Sequence, residues 1–282
     1  MLSKVYLEIT DVCNLSCSFC PGTVREKRFM SEREFLTCLD RLSGKTEYLY
    51  FHLMGEPLLH PKLADFVRLA SGRGYHVCLT TNGTLIGRRR EELMSVSEGI
   101  YKISISLHSM EANGAENDGY LEQCASFADE MSRRGAISVL RLWNLDGALP
   151  GENAMNPGIL AYLHRRFPGE WKKTRNGYAI SDAGRCYLEF GERFVWPSPA
   201  ESEKDVRFCM GLRDHVGVLC DGTVVPCCLD CNGNIPLGNL FEGDLDDIIS
   251  SPRAQEIYKG FTEHRAAEPL CRTCGYATRF SV

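Results

Sequence analysis

The chain has 282 residues, 44% of them hydrophobic and 24% charged, with a formal net charge of -5. That is enough apolar material for one barrel-sized domain plus a small appendage, and it excludes a disordered or low-complexity chain. The acidic balance argues against general nucleic-acid binding, no apolar run approaches the roughly 18 residues of a membrane span, and fourteen cysteines without a signal peptide point to reduced, metal-binding thiols in the cytoplasm.

In chain order, strands are predicted at Lys4–Thr10, Glu47–Leu53, Tyr75–Thr80, Ile100–Leu107 and Ala136–Trp143, alternating with helices near 31–43, 61–73, 84–95 and 114–134. Repeated βα units imply a parallel sheet of the α/β class, and five or six of them in right-handed series curl into a whole or partial barrel. Functional residues then belong at the strand C-terminal ends. From about 146 to 208 the period is lost, although 178–180 and 186–196 are candidates for a last strand pair. After Cys209 a cysteine-rich segment carries its own hairpin and one or two short helices near 244–262.

The strand phases add information. Val5, Leu7 and Ile9 alternate with Tyr6, Glu8 and Thr10; Leu49, Phe51 and Leu53 with Tyr50 and His52; Ile103, Ile105 and Leu107 with Ser104, Ser106 and His108. Parallel strands buried on both faces read as continuous apolar runs, and these do not. The apolar set is expected to pack on outer helices and the polar set to line a lumen, which is costly unless something binds there. Glu8, His52, His108 and Arg141 are therefore the substrate-cavity candidates. Arg141 is out of phase with Leu140 and Leu142 and offers a fixed charge for an anion.

Directly after the first strand, Cys13, Cys17 and Cys20 form a C-x3-C-x2-C triplet. Three thiolates on one tight loop can hold three irons of a 4Fe-4S cluster and leave the fourth iron open, whereas a closed zinc site asks for four ligands. With Phe19 before its third cysteine, the loop resembles that of the radical S-adenosylmethionine (SAM) enzymes. The resemblance implies that SAM chelates the open iron and is cleaved reductively to a 5'-deoxyadenosyl radical, with an electron donor such as flavodoxin or ferredoxin. Met54-Gly55-Glu56-Pro57 resembles the family's G-G-E-P element, departing from it at Met54. By this match Gly55 and Glu56 contact the cofactor, the Glu56 carboxylate accepting from the SAM ammonium. Phe19, Thr81, Asn82, Ser104 and Ser106 fall at similar cofactor-contacting positions, and Asn144 at the end of the fifth strand is a further candidate.

A second constellation runs Cys209, Gly222, Cys227, Cys271 and Cys274, as C-x12-G-x4-C followed by C-x2-C. The Asp221-Gly222-Thr223 turn folds Cys209 and Cys227 toward one edge. The pattern is similar to the twitch and SPASM extensions of radical SAM enzymes and implies one auxiliary 4Fe-4S cluster, because no cysteine follows Cys274. The same four cysteines could instead hold zinc. Asp230 is expected to reach the substrate. Cys38, Cys78 and Cys124 read as small buried hydrophobes, while Cys220, Cys228 and Cys231 are possible alternative ligands.

The resemblance thus implies a partial (β/α)6 TIM-like barrel over 1–208 and an auxiliary-cluster domain over 209–282. The expected activity is hydrogen abstraction from a small polar molecule, giving its oxidation with the auxiliary cluster as electron acceptor. The alternatives are a radical lyase or rearrangement of a small heterocycle, of the queuine-lyase kind, and modification of a ribosomal peptide. The last is disfavoured because the first strand starts at Lys4, with no leader-binding domain before it. An iron-sulfur carrier or zinc interaction module leaves the Gly-Glu-Pro element unexplained.

Overall fold

The computed structural model describes residues 1–112, 118–145, 153–181 and 184–280. In chain order these form β1 (Lys4–Leu7), α1 (Glu32–Leu42), β2 (Tyr48–Tyr50), α2 (Leu63–Gly72), β3 (His76–Thr81), α3 (Ile86–Met94), β4 (Ile100–Ser106), α4 (Asp118–Arg133) and β5 (Ile137–Leu142). There follow α5 (Asn156–Arg166), β6 (Lys172–Thr174), β7 (Gly177–Ala179), β8 (Cys186–Phe190), β9 (His215–Val218), β10 (Thr223–Val225), β11 (Gly238–Asn239), α6 (Leu245–Ile249), α7 (Pro252–Thr262) and α8 (Pro269–Arg272). The sequence pattern of strand and helix therefore holds from β1 to β5. The first part of the helix expected near 114–134 lies outside the described residues.

Two compact units form. One contains Met1–Val12, Pro21–Gly55 and Phe194–Val282; the other contains Cys13–Cys20 and Glu56–Arg193. In the first, the strand order is β11-β10-β9-β1-β2. β9 runs parallel to β1, from Lys4 opposite His215 to Leu7 opposite Val218, so the C-terminal segment shares a core with the N-terminal strand rather than separating at 208. In the second, the order is β3-β4-β5-β8-β7-β6, with β3, β4, β5 and β8 parallel and β8, β7 and β6 antiparallel.

Local chemistry explains the elements. α1 starts in a capping box, Glu34 N–H donating to Ser31 Oγ and Ser31 N–H to the Glu34 carboxylate, and buries Phe35, Cys38, Leu39 and Leu42 along one stripe. The β9–β10 hairpin turns at Gly222, where φ is +86° and a Cβ would lie 2.5 Å from Asn239 Oδ1. The segment expected to lose its period contains α5 with Ile159 and Leu163 buried four residues apart, and Pro157 in its first turn. That start signal, Asn-Pro followed by a helical spacing, was present but short. Two polar positions fall beyond the strands on which they were placed. β2 ends at Tyr50, before His52, and β4 ends at Ser106, so His108 sits on a 3-10 turn, Leu107–Ala112. Alternation does not set their direction. No helix of the described residues is long and apolar enough to cross a membrane.

Candidate active site

In the second unit, Cys20 N–H donates to the Cys17 carbonyl at 3.1 Å and closes the cysteine loop. Neighbouring thiols oppose the ionisation of Cys13 and Cys17. Cys17 is pushed up to about 11, first by burial, with Cys20 and Cys13 adding; burial also raises Cys13, with Glu56 and Cys20 adding. A cationic cluster removes that penalty, so the donor set fits one. Among the described residues, no three His, Cys, Asp or Glu side chains close on a single metal ion.

The loop is gripped from two sides. Asn82 Nδ2 donates to Asn14 Oδ1 at 3.0 Å and lies 4.0 Å from Cys13 Sγ, while Asn14 Nδ2 donates to Thr84 Oγ1 at 2.8 Å. Opposite, Ser18 N–H and Oγ–H donate to Glu111 Oε1 at 3.1 and 2.5 Å, and Arg193 pairs with Glu111 Oε2 at 3.1 Å. Phe19 packs on the His108 ring at 4.9 Å between centroids, with the Arg193 guanidinium 6.0 Å from the Phe19 ring centroid.

Glu56 has protein partners of its own. Its Oε1 accepts from Leu58 N–H at 3.0 Å and Thr81 Oγ1–H at 2.7 Å, and its Oε2 from Asn82 N–H at 2.7 Å. Protein donors thus fill three of about four acceptor sites. The carboxylate caps the turn Pro57–Leu59 and pins the Thr81-Asn82 turn against it; burial pushes it up to about 7 against the pull of these donors. Asn144 is similarly engaged, in a reciprocal amide pair with Asn156 at 2.9 and 3.1 Å. Ser104 is buried and Ser106 half-buried. Arg141 lies 4.7 Å over Trp143 and 3.9 Å from Glu189. His108 Nδ1 meets the Arg141 carbonyl at 3.1 Å and Trp143 N–H at 3.3 Å, and burial lowers its pKa to about 4.

In the first unit, Gly55 has φ +75° and a Cβ there would stand 2.4 Å from the Thr10 carbonyl, so the Gly-Glu-Pro element requires its glycine. Glu8 is fully buried and does not stand open to a ligand. Arg25 binds both its oxygens, at 2.8 and 2.9 Å, and Met54 N–H and Cys220 N–H donate to it at 3.0 and 3.1 Å. Burial raises its pKa against the pull of Arg25 and those amides. His52 is half-buried, edge-on to Tyr6 at 5.6 Å and beside Tyr50 at 5.7 Å. Asp230 is buried and accepts from Asn234 N–H, Asn234 Nδ2 and Ile235 N–H at 2.8, 3.1 and 2.8 Å, which ties its own loop rather than presenting a carboxylate.

Four other thiols of this unit feel one another's charge. Burial raises Cys209, Cys227, Cys271 and Cys274; beyond it, Cys209 and Cys271 act on Cys227, Cys209 and Cys274 on Cys271, and Cys209 on Cys274. Their mutual reach fits a four-thiolate cluster. Cys220 turns away, with Sγ at 3.5 Å from the Ile9 carbonyl, and Cys231 packs with Leu53, Met54, Leu219 and Val225. Cys228 stays beside Cys227, hydrogen-bonded to the Tyr6 hydroxyl. Sequence reasoning missed Arg25, Glu111 and Arg193. Arg25 and Arg193 lie in irregular chain and Glu111 on the short 3-10 turn Leu107–Ala112, where no periodicity marks direction.

Comparison with known proteins fits this geometry. Residues 7–135 match the model of the radical SAM superfamily and residues 209–275 that of the SPASM iron-sulfur cluster-binding domain. The 2-deoxy-scyllo-inosamine dehydrogenase of Niallia circulans, which is SAM-dependent, is 22% identical over 97% of this chain and 93% of its own. A cofactor-modifying protein for tungsten-containing aldehyde ferredoxin oxidoreductase from Pyrococcus furiosus is 40% identical over 89 residues, 30% of this chain and only 25% of that relative. The crystal structure of BtrN with AdoMet and 2-DOIA superposes with a TM-score of 0.63 at 20% identity, covering 97% of this chain and 93% of that one. The fold is thus the α/β radical SAM fold with a C-terminal iron-sulfur extension, and zinc gives way to iron-sulfur at the second site. SAM and 4Fe-4S clusters are the cofactors. The chain belongs to the radical SAM superfamily, as an enzyme whose C-terminal part is a SPASM-type iron-sulfur cluster-binding domain.

Proposed function

We propose that the protein dehydrogenates a small polar molecule, converting a secondary alcohol to a ketone. The observation that carries this reading is the mutual electrostatic reach of four thiols in one unit, the buried Cys274 and the half-buried Cys209, Cys227 and Cys271. A cluster with all four corners held by protein has no vacant iron for substrate, which leaves electron acceptance as its chemistry. The near full-length similarity to a dehydrogenase supports the same reading. Cys13, Cys17 and Cys20 hold the other cluster, whose open corner takes SAM. When bound, these groups supply one-electron hydrogen abstraction and a sink for the second electron.

The chain's own residues hold and shield. Asn82 and Glu111 fix the cysteine loop from opposite sides, and Phe19 with His108 forms an apolar wall beside it. Ser104, Ser106 and the remaining acceptor site of Glu56 are the groups left to meet SAM, since the Thr81 hydroxyl is spent on Glu56 and on Gly83 N–H. Removing a hydrogen atom from the alcohol carbon leaves a proton on its oxygen. That proton passes to water in the site; His52, the half-buried imidazole among Tyr6 and Tyr50, belongs to the first unit. Arg141 holds the substrate through its fixed charge, and a flavodoxin or ferredoxin supplies the reducing electron.

The test is anaerobic incubation of the reconstituted protein with SAM, reductant and a panel of cyclic polyols and aminocyclitols deuterated at their carbinol carbons. Dehydrogenation gives 5'-deoxyadenosine carrying one deuterium and a ketone in equal amounts. A product that keeps the mass of its substrate, as in a rearrangement, would sink the proposal.

A further inference from the structure

The segment leaving the first cysteine loop, Pro21 to Met30, has no helix or strand of its own, yet it is held at many points within the first unit. Along its return it lies against the end of β1. Arg28 N–H donates to Asp11 Oδ1 at 2.8 Å, Lys27 Nζ to the Asp11 carbonyl at 2.9 Å, and Met30 N–H to the Ile9 carbonyl at 2.8 Å. At its tip it is tied to the C-terminal domain. Thr23 Oγ1–H and Val24 N–H donate to Asn232 Oδ1 at 2.9 and 3.0 Å, and Arg25 Nε to the Cys231 carbonyl at 2.9 Å.

Arg25 joins the two sets of anchors. While Nε holds the Cys231 carbonyl, Nη2 reaches both oxygens of Glu8, and Nη1 lies 4.0 Å from Asp11 Oδ2. Glu8 then uses its remaining capacity on Met54 N–H, one residue before Gly55-Glu56-Pro57, and on Cys220 N–H at the end of the β9 side of the hairpin. One fully buried carboxylate, with four hydrogen bonds from three donor groups, thus meets the exit of the cysteine loop, the entry to the Gly-Glu-Pro element and the auxiliary hairpin. Such a pair is poor at adding stability but strict about geometry, because either charge left alone in that site is heavily penalised.

We propose that Glu8 and Arg25 are positioning residues: their ion pair registers the Pro21–Met30 segment and the Gly-Glu-Pro entry on the loop that follows auxiliary ligand Cys227, and thereby sets the affinity for SAM. Neither residue touches the reacting atoms. The role is independent of which molecule is oxidised.

The experiment uses iron-reconstituted full-length protein, with amide hydrogen exchange, iron content and SAM titration followed by the electron paramagnetic resonance signal of the reduced first cluster. Arg25→Gln should lose amide protection in 21–30 and in 229–235 together, keep its iron, and need at least about tenfold more SAM for the spectral change. Glu8→Gln should do the same. The double variant should be no worse than the poorer single, because it leaves no lone buried charge. Arg28→Gln, which breaks the half-exposed pair with Glu34, is the control and should change neither SAM affinity nor protection in 229–235. Should Arg25→Gln fail to retain iron, Arg25→Lys, which keeps the charge and loses the fork, should show the same paired loss in milder form. Protection lost in 21–30 alone, additive effects in the double variant, or unchanged SAM affinity would each overturn the assignment.

Discussion

At the scale of single residues, role follows from partners. Burial and the neighbouring thiols raise Cys13 and Cys17 in the first loop, which opposes their thiolates in the absence of a cation, so iron is what the loop is built to meet. Replacing Cys13, Cys17 and Cys20 together by alanine should abolish 5'-deoxyadenosine formation under anaerobic reduction; continued formation, measured by chromatography, would remove the first site from the account. His108 supplies a pH test. Its pKa is lowered by burial to about 4 from 6.5, so the unfolded chain takes up a proton below 6.5 that the folded one refuses. Stability is therefore complete above about pH 6.5 and falls through the window down to about 4, by about 2 kcal/mol between pH 7 and 5. His108→Gln should flatten that part of the pH profile of anaerobic thermal unfolding, and an unchanged profile would contradict the burial argument. Types and spacing made the cysteines legible in the sequence. Glu56, Asp230 and Asn144 were legible only as polar residues in good places, because the donors that occupy them come from Asn82, Ile235 and Asn156.

Elements carry these residues by a few strict positions. The hairpin of β9 and β10 brings Cys209 and Cys227 to the same edge, and it depends on Gly222. With φ at +86° and a Cβ only 2.5 Å from Asn239 Oδ1 and 2.7 Å from the Phe241 ring, Gly222→Ala should cost about 2 kcal/mol or more. Its expected signature is local: loss of iron from the auxiliary site at moderate temperature while 5'-deoxyadenosine formation persists. Loss of both clusters at once would show that the hairpin serves the whole fold. The βα succession was readable because each strand and helix announces itself by a period of 2 or 3.6. The strand ends were less so. Alternation continues through His52 and His108 in sequence, but the backbone leaves the extended conformation before each, and the side-chain direction no longer follows the count.

For the molecule as a whole, two cluster sites in one chain give a stoichiometric prediction. Anaerobically reconstituted protein should carry about eight irons, and the variant lacking Cys13, Cys17 and Cys20 about four, with its brown colour kept. Zinc in place of iron in that variant would refute the auxiliary cluster. Replacing Cys271 and Cys274 together should lower ketone formation at least about tenfold while uncoupled SAM cleavage declines far less, since only the first step proceeds without the second electron's acceptor. Equal loss of both would assign the auxiliary site to folding alone.

By itself the sequence determined the family, the cofactors and the ligand spacings, because a chelating loop is a local object: three thiols within eight residues can meet one cluster whatever the rest of the chain does. The sequence marked Gly55 only as part of a motif; its demand for glycine, a positive φ beside the Thr10 carbonyl, came from the structure. Tertiary structure alone decided which polar groups remain open to a ligand. Glu8 reads as a lumen carboxylate on its strand, yet Arg25, Met54 and Cys220 reach it from three separate stretches of chain. A buried charge takes whatever donors folding delivers, and those donors are set by packing across long sequence distances rather than by the residue's own period.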